Sequence, residues 1–176
     1  GKTQTIDVAV KNLRIGLGGS ALDGAIALKL AEIERSAEGV ISLRNDYVPP
    51  TPLLSSSATL VRRVQDVLGR VRAKVEELAA KRRQAGEALA FDAATLTQFW
   101  LLQTLNQSLP VLRHLASLPE THPAQLYGEL LRLAGGLLIF TAEASPDFPP
   151  YQHDHIGACF SSLINRVYEL LGVVVR

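Results

Sequence analysis

The stretch Val48-Pro49-Pro50-Thr51-Pro52 divides the sequence into two parts whose apolar residues repeat with different periods. Three prolines within four positions hold the backbone extended and remove backbone hydrogen-bond donors. Neither a helix nor a central strand can therefore continue through this stretch. We assign residues 49–54 to a proline-rich linker, residues 1–48 to a β-rich part, and residues 55–176 to a helical part.

Apolar residues before the linker alternate with polar or small ones, which is the period-2 pattern of β-strands. The pattern occurs in three runs, Ile6 to Val10, Ile26 to Leu30 and Val40 to Leu43. Between the first two lies Gly16-Leu17-Gly18-Gly19-Ser20, whose residues suit a tight turn. These runs predict antiparallel strands. They are too few for a complete sheet domain with its own core, so residues 1–48 are interpreted as the end of a larger β-rich domain.

Apolar residues after the linker recur at spacings of three and four, which is the period of an amphipathic helix. A first helix follows the N-cap serines 55–57, a second runs from Asp92 to about Ser117, a third starts near Pro123, and a fourth starts after Asp154. Their predicted inward residues are Leu60, Val64, Val67, Val71, Val75 and Leu78; Leu96, Phe99, Leu102, Leu109 and Leu112; Leu126, Leu130, Leu133, Leu137 and Phe140; and Ile156, Phe160, Leu163, Val167, Leu170 and Val174. The predicted fold class is mainly α, an up-and-down four-helix bundle preceded by a short antiparallel β segment.

The composition is that of an ordinary globular protein, with 47% hydrophobic and 20% charged residues. The net charge of +1 gives no general reason to expect a nucleic acid or an anionic membrane as partner. The densest apolar runs, such as Leu137 to Phe140, are far shorter than the ~20 residues of a membrane span. Cys159 is the single cysteine, which indicates a reducing compartment. Because the sequence starts at Gly1 without a Met or a signal-peptide pattern, we interpret it as a piece of a longer protein.

Candidate metal ligands cluster at His153, Asp154 and His155, with Cys159 one helical turn after His155. Zinc accepts such ligands, but a structural zinc site needs four of them, and the other histidines lie in other segments. The plainer interpretation makes Asp154 a helix cap, places the histidines in a solvated loop, and makes Cys159 a small core residue. We therefore predict no metal site and no cofactor.

Other candidate motifs are weak. The stretch Gly16 to Gly19 lacks the lysine and the spacing of a phosphate-binding loop, and the serine clusters lack a recognisable nucleophile elbow. Nothing in the sequence argues for an enzyme. The first helix is basic, especially at Arg82 and Arg83, so a helical nucleic-acid-binding module is kept as the alternative function.

Asn106 falls between Leu102 and Leu109 on the predicted apolar stripe. It either bonds backbone groups freed by Pro110 or fixes register and oligomer number, as buried asparagines do in coiled coils. Further candidate oligomer or packing positions are Pro110 itself, Gly135 and Gly136, where helices can approach closely, and Leu126, Leu130, Leu133 and Leu137.

Several segments, in this order, match a known family. The segment Leu43-Arg44-Asn45-Asp46-Tyr47-Val48-Pro49-Pro50 resembles the end of its shoulder domain, and residues 99–106 with 109–112 resemble its second neck helix. Residues 122–135, HPAQLYGELLRLAG, are the most specific match, and residues 148–154 with Cys159-Phe160 complete it. The family is TssK, the type VI secretion baseplate subunits. The likeness covers nearly all of residues 40–176.

The resemblance implies a non-enzymatic structural adaptor of a phage-like contractile machine, a cytoplasmic homotrimer at the inner face of the bacterial inner membrane. It implies that residues 1–48 end a β-sandwich shoulder that contacts the wedge proteins TssF and TssG. Residues 55–176 would form the neck, whose helices associate around the trimer axis. A head domain, absent from this chain, would contact the membrane-complex proteins TssL and TssM. Neither nucleic acid nor direct membrane insertion is expected.

Overall fold

The computed structural model describes residues 15–18, 27–85, 92–141 and 147–173. The elements in chain order are the strands β1 (Ile33–Arg35) and β2 (Ile41–Leu43), and the helices α1 (Ala58–Ala85), α2 (Ala93–Ser117), α3 (Pro123–Leu138) and α4 (Ile156–Val173), with short 3-10 turns at Leu54–Ser56 and His153–His155. The predicted class, mainly helical with four helices and a short antiparallel β segment, is confirmed.

The two strands form an antiparallel hairpin in which Ile33 pairs with Leu43 and Arg35 pairs with Ile41. Its turn contains Gly39 at a φ of 86°, a conformation that glycine adopts without steric cost. The turn is closed by hydrogen bonds between the segments on either side of that glycine. The residues of both strands are exposed, so this hairpin contributes nothing to the core of the single chain.

The strand predictions are only partly confirmed. Strand β2 lies in the third predicted run, Val40 to Leu43. The described residues of the second run, 27–30, form no strand, and β2 pairs instead with β1. Strand β1 shows no apolar alternation in the sequence, because two of its three residues, Glu34 and Arg35, are charged and the whole strand is exposed. The first run and Gly19-Ser20 lie outside the described residues.

The proline-rich segment forms neither helix nor strand over residues 48–53, as its prolines predict. It nevertheless packs onto the bundle, since Val48 is 2% exposed and Thr51 is 6% exposed. Just after it, the backbone N–H of Leu54 donates to the carbonyl oxygen of Thr121 at 2.8 Å. This segment therefore covers one end of the helices.

Helix α1 follows its predicted pattern. Ser57 is its cap, because the hydroxyl oxygen accepts a hydrogen bond from the backbone N–H of Leu60 at 3.3 Å. The predicted seam faces inward throughout: Leu60, Val64, Val67, Val71 and Leu78 are buried, and Val75 is partly buried against them.

Helix α2 begins where predicted, because the Asp92 carboxylate accepts a hydrogen bond from the backbone N–H of Thr95 at 2.7 Å. Its inward face is only partly as predicted. Leu96 and Phe99 are 43% and 44% exposed, so their assignment to the core is wrong. The buried face consists of Leu101, Leu102, Leu105, Ser108, Leu109 and Leu112. Helix α2 carries apolar residues on two faces, and sequence spacing alone cannot rank them.

Helices α3 and α4 hold the centre of the core. Of the predicted α3 stripe, Leu126, Leu130, Leu133 and Leu137 are each at most 1% exposed. The α4 residues Ile156, Phe160, Leu163, Val167 and Leu170 are buried to the same extent, while Val174 lies outside the described residues. Phe140, predicted on the same stripe, lies after the end of α3 and is only partly buried against the core. The other predicted inward residues of both helices are confirmed where they are described.

The first three helices alternate in direction, as predicted. Arg82 near the end of α1 lies beside Phe99 near the start of α2. In the same way, Thr104 in the first half of α2 faces Gly136 near the end of α3. Consecutive helices are therefore antiparallel neighbours up to α3.

Helix α4 departs from the up-and-down order, because it runs parallel to α3 and α1. Tyr127 near the start of α3 packs against Phe160 near the start of α4, with ring centroids 5.2 Å apart. Further along, Arg70 of α1 lies 3.8 Å from the ring centroid of Tyr168 of α4. The predicted up-and-down order therefore holds for α1 to α3 and is corrected for α4. We call the end holding the starts of α1, α3 and α4 the junction end, and the opposite end the distal end.

Candidate subunit interface

Helix α2 presents large apolar side chains to solvent on the face opposite its buried leucines. Leu96 is 43%, Phe99 44%, Trp100 55% and Val111 37% exposed. Phe99 and Trp100 follow Leu96 by three and four residues, and Val111 follows Trp100 by eleven, about three turns, so all four lie along one side of the helix. We call these four residues the outward stripe. It begins at the distal end and is a candidate surface for contact with another protein.

The two aromatic residues of the outward stripe are held in a defined arrangement. Phe99 and Trp100 meet edge to face, with centroids 5.8 Å apart and planes at 78°. The guanidinium carbon of Arg82 lies 5.6 Å from the Phe99 centroid, within range of a cation–π contact. Trp, Phe and Arg in this arrangement have the composition of an interface hot spot.

Two shallow grooves flank α2. One of about 320 Å3 is lined by Arg82, Phe99, Leu102, Gln103, Asn106 and Gln107. The other, of about 570 Å3, lies between α1 and α2 and is lined by Gln65, Leu68, Asn106, Leu109, Pro110, Arg113, His114 and Ser117. Asn106 belongs to both, so it joins the outward stripe to the α1–α2 groove.

Asn106 is exposed, so its predicted place on the buried stripe is wrong for the single chain. The reason is the rotation of α2, whose buried neighbours are Leu105 and Leu109. Pro110 is also exposed, on a helix that continues through it to Ser117. A role of either residue in register or oligomer number stays a prediction.

The remaining predicted positions divide by burial. The four leucines of α3 lie inside the chain's own core, where they pack against the other helices. A β-carbon on Gly136 would lie 2.8 Å from Thr104 Cγ2, so this glycine permits close approach of α2 and α3. For Gly135, no atom of the described residues lies within 4 Å of such a β-carbon, apart from its chain neighbours and the helix's own backbone. Packing within the chain accounts for the leucines and for Gly136, while Asn106 and Pro110 are exposed and both Gly135 and Gly136 are partly buried.

The candidate metal ligands do not converge on one point. His153 stacks on His122 with centroids 5.4 Å apart, and its Nδ1 lies 2.9 Å from the Tyr151 hydroxyl. Cys159 is buried and its Sγ donates to the Ile156 carbonyl oxygen at 3.3 Å, whereas His155 is exposed. Within the described ranges, no three His, Cys, Asp or Glu side chains are grouped so that they could hold a metal ion. Asp154 lies inside the 3-10 turn rather than capping α4.

The basic side chains of α1 are largely engaged within the chain. Lys74, although 8% exposed, bonds Glu77 at 2.9 Å, and Lys81 bonds the same carboxylate at 2.7 Å. Hydrogen bonds from Lys81, which has the larger effect, and from Lys74 hold the pKa of Glu77 below its ordinary value. Arg72 pairs with Glu76 at 2.8 Å. These contacts place the carboxylates of Glu76 and Glu77 among the basic side chains of α1, so the basic surface that the sequence suggested is interrupted.

Some site residues were missed from the sequence. Trp100 is one of them: it points about 100° away from Phe99 on the helix, and the apolar spacing used for the core gave it no position at the surface. The signal that could have found it is the second apolar face of α2. In the part of the chain that the structure describes, no helix is long and apolar enough to cross a membrane.

The comparisons with known proteins agree with one another. The model of the family described as "Bacterial Type VI secretion, VC_A0110, EvfL, ImpJ, VasE" matches residues 1–176. The chain is 30% identical over 164 residues to the type VI secretion system baseplate component TssK1 of Pseudomonas aeruginosa, covering 92% of this chain and 35% of that protein.

Solved structures share the fold. TssK from the type VI secretion system of EAEC, in complex with nanobody nb18, matches with a TM-score of 0.78 and 34% identity over 85% of this chain and 54% of that one. The TssK-TssF-TssG baseplate subcomplex contains a chain that matches with a TM-score of 0.74 and 30% identity over 88% of this chain and 48% of that one.

This chain spans about a third of the curated relative and about half of the two solved chains. The family resemblance predicted from the junction segment and the neck helices is confirmed by the family match and by the relatives. The chain belongs to the bacterial type VI secretion family whose members include the TssK baseplate components.

Proposed function

We propose that this chain is a non-enzymatic structural part of a type VI secretion baseplate and self-associates as a homotrimer through the outward stripe of α2. The observation that carries the proposal is the exposed aromatic pair Phe99 and Trp100, on a helix whose other face is fully packed. The relatives support the role, because they are named as baseplate components and as TssK in baseplate complexes.

Burial of the outward stripe would supply the driving force. Aromatic side chains bury ~150–250 Å2 each and dominate interface energetics. In a closed ring of three copies each contact joins two different surfaces, so the outward stripe of one copy would pack against the flank of α2 in the next copy. Asn106, Gly135 and Pro110, which stay accessible in the single chain, are the candidate positions for register at that contact.

The hairpin offers a second exposed surface at the junction end. Ile33, Ile41 and Leu43 are 53%, 66% and 62% exposed. We propose that this β segment belongs to the shoulder and lies on the side that contacts the wedge proteins TssF and TssG, both of which are present in the relative's complex. Contact with the membrane-complex proteins TssL and TssM would be made by a head domain outside these residues. The assembly would lie in the cytoplasm, at the inner face of the inner membrane.

The alternative, a basic nucleic-acid-binding helix, has less support. Lys74 and Lys81 share Glu77 and Arg72 pairs with Glu76, so part of the positive charge of α1 is already neutralised within the chain and is not free to contact phosphates. Within this proposal nucleic acid is not a partner, and neither a cofactor nor direct membrane insertion is required.

The trimer is tested by measuring native mass against protein concentration. We expect the parent chain to form a trimer at high micromolar concentration and Trp100→Glu to be monomeric, because the new carboxylate would have to be buried at the contact. Since Trp100 is 55% exposed in the single chain, the melting temperature of the monomer should change little. The matched control is Gln98→Glu, which adds the same charge at an exposed position outside the stripe.

Two results would contradict the trimer. One is a parent chain that stays monomeric throughout the concentration range. The other is a Trp100→Glu variant with the same mass as the parent.

A further inference from the structure

Arg63 of α1 bridges three separate segments at the junction end. One guanidinium nitrogen, Nη1, donates to the carbonyl oxygen of Gly157 at 3.0 Å and to the Ser161 hydroxyl at 2.7 Å. The other, Nη2, donates to the carbonyl oxygen of Asp46 at 3.4 Å. Gly157 and Ser161 belong to α4, and Asp46 lies just before the prolines. One side chain thus joins α1, α4 and the chain that leads from the hairpin.

The Ser161 hydroxyl is itself oriented for this contact. It donates to the Gly157 carbonyl oxygen at 2.7 Å, so its lone pairs are free to accept from Arg63. The guanidinium is a rigid planar fork, which favours several simultaneous bonds of fixed direction. A cavity of about 270 Å3 lies beside it, between the β segment and the start of α4.

The segment that carries Asp46 is bound to the β side. The backbone N–H of Arg44 donates to the Glu32 carbonyl oxygen at 2.9 Å, and its guanidinium pairs with Glu32 at 2.7 Å and with Asp46 at 2.8 Å. The Tyr47 hydroxyl donates to the Lys29 carbonyl oxygen at 3.0 Å. Movement of the hairpin would therefore carry this segment with it.

The same segment is bound to the bundle by independent contacts. The Thr59 hydroxyl donates to the Asn45 carbonyl oxygen at 3.0 Å. Val48 is 2% exposed and lies so close to α4 that a β-carbon on Gly157 would be 3.2 Å from its Cβ. Glycine at 157 is therefore what lets the chain approach the helix at this point.

We propose that Arg63 is a positioning residue that fixes the angle between the β segment and the helical bundle. Because its bonds reach both sides of the junction at once, a displacement of the hairpin is passed directly to α1 and α4. The prolines that follow limit backbone rotation and leave little slack in the connection. The inference concerns a single chain and needs no oligomer, so it can fail or hold independently of the trimer.

The test measures a distance across the junction in the full chain by pulsed electron spin resonance. Spin labels are attached at Ala37→Cys, in the hairpin turn, and at Gln125→Cys, on the exposed side of α3, in a Cys159→Ala background. In Arg63→Gln we expect the distance distribution to widen about twofold, because the charged fork that joins the segments is lost. Arg63→Lys should lie between the two, since one ammonium cannot serve all three acceptors in a plane.

A second variant works through shape rather than charge. Gly157→Val would push Val48 away from α4 and should shift the mean distance while Arg63 is intact. The matched control is Arg62→Gln, the exposed neighbouring arginine, which should leave the distribution unchanged. A second label pair within the bundle, Ala73→Cys with Gln125→Cys, reports on the helices themselves.

The label pair within the bundle, Ala73→Cys with Gln125→Cys, distinguishes movement at the junction from loosening of the whole bundle. A junction pair that widens in Arg63→Gln while the bundle pair stays narrow supports the positioning role. A junction pair as narrow as in the parent overturns it. Equal widening of both pairs also overturns it, because Arg63 would then be stabilising the bundle as a whole.

Discussion

Gly136 of α3 faces Thr104 of α2 so closely that a β-carbon at position 136 would lie 2.8 Å from Thr104 Cγ2. The threonine cannot turn freely, because its hydroxyl donates to the Trp100 carbonyl oxygen at 3.0 Å. A β-carbon on the adjacent Gly135 would have no atom of the described residues within 4 Å, apart from its chain neighbours and the helix's own backbone. A methyl group therefore fits at position 135 of the helix and clashes at position 136.

This contrast predicts opposite effects of alanine at the two positions. Gly135→Ala should raise the free energy of unfolding by about 0.5–1 kcal/mol, because alanine loses less backbone entropy in a helix. Gly136→Ala should lack this gain, since the new methyl group meets Thr104. Urea denaturation measures both. In the double variant Gly136→Ala with Thr104→Ser the missing methyl group should restore the gain, and a double variant no better than Gly136→Ala would contradict the steric explanation.

Leu133 distinguishes packing within the chain from contact between chains. It is fully buried in the single chain, so Leu133→Ala should lower the free energy of unfolding by about 2–5 kcal/mol. The loss should be the same at every protein concentration in denaturant titrations. Ile139→Ala is the control, since Ile139 is 79% exposed and its removal should change stability by less than about 0.5 kcal/mol. A loss at Leu133 that disappears on dilution would indicate a subunit contact instead.

Asp92 gives a prediction on the acid side. The backbone hydrogen bond from Thr95 holds the pKa of this carboxyl below its ordinary value. Its contribution to stability is therefore present above the ordinary pKa of an aspartate and is lost as pH falls through the lowered one. Asp92→Asn should keep the cap at neutral pH and lose this acid dependence, whereas Asp92→Ala should lose both. Thermal melts between pH 2 and pH 7 check this, and an Asn variant with the parent's acid slope would exclude Asp92 as its source.

The two tyrosines beside α4 give a prediction on the alkaline side. Burial raises the pKa of Tyr127 to about 12 and raises that of Tyr151 to about 12. Folding favours their neutral forms, so their contribution is complete below the ordinary tyrosine pKa of 10.0 and is lost as pH rises towards about 12. Tyr127→Phe should remove about half of this alkaline loss, because one of the two groups no longer ionises.

The same substitution has a cost at neutral pH. The Tyr127 hydroxyl donates to the Pro149 carbonyl oxygen at 2.5 Å, and its loss should lower stability by about 1 kcal/mol. Denaturant titrations from pH 8 to pH 12 separate the two effects. An unchanged alkaline slope in Tyr127→Phe would refute the assignment.

The helices could be predicted because their signals are local. Asp92 caps α2 and Pro123 opens α3, as the sequence indicates, and the seam of α1 from Leu60 to Leu78 is regular enough to identify its buried face. The family resemblance depends mainly on the same helical part, together with the junction segment from Leu43 to Pro50. The class and the family were therefore available from the residues alone.

Two features could not be predicted, for physical reasons. Helix α2 is apolar on two faces, and only packing against α1 and α3 decides that Leu101 and Leu105 point inward while Leu96 and Phe99 do not. The direction of α4 depends on where Tyr127 and Phe160 meet, which no local periodicity records. The Arg63 bridge likewise joins residues almost a hundred positions apart.

Because α1, α3 and α4 run parallel, the dipoles of the four helices do not cancel and the bundle has a net dipole. In an alternating bundle the helix macrodipoles cancel in pairs, but here three amino-terminal ends meet one carboxyl-terminal end at the junction. Partial positive charge therefore accumulates at this end, and the starts of α1 and α4 lie beside the cavity that Asp154 helps to line. The field falls off within about one turn of the helix ends, so it acts on Asp154, in the turn directly before α4, and not on the distal surface. By returning the chain before α4, the fold places this acidic residue where the backbone itself attracts it.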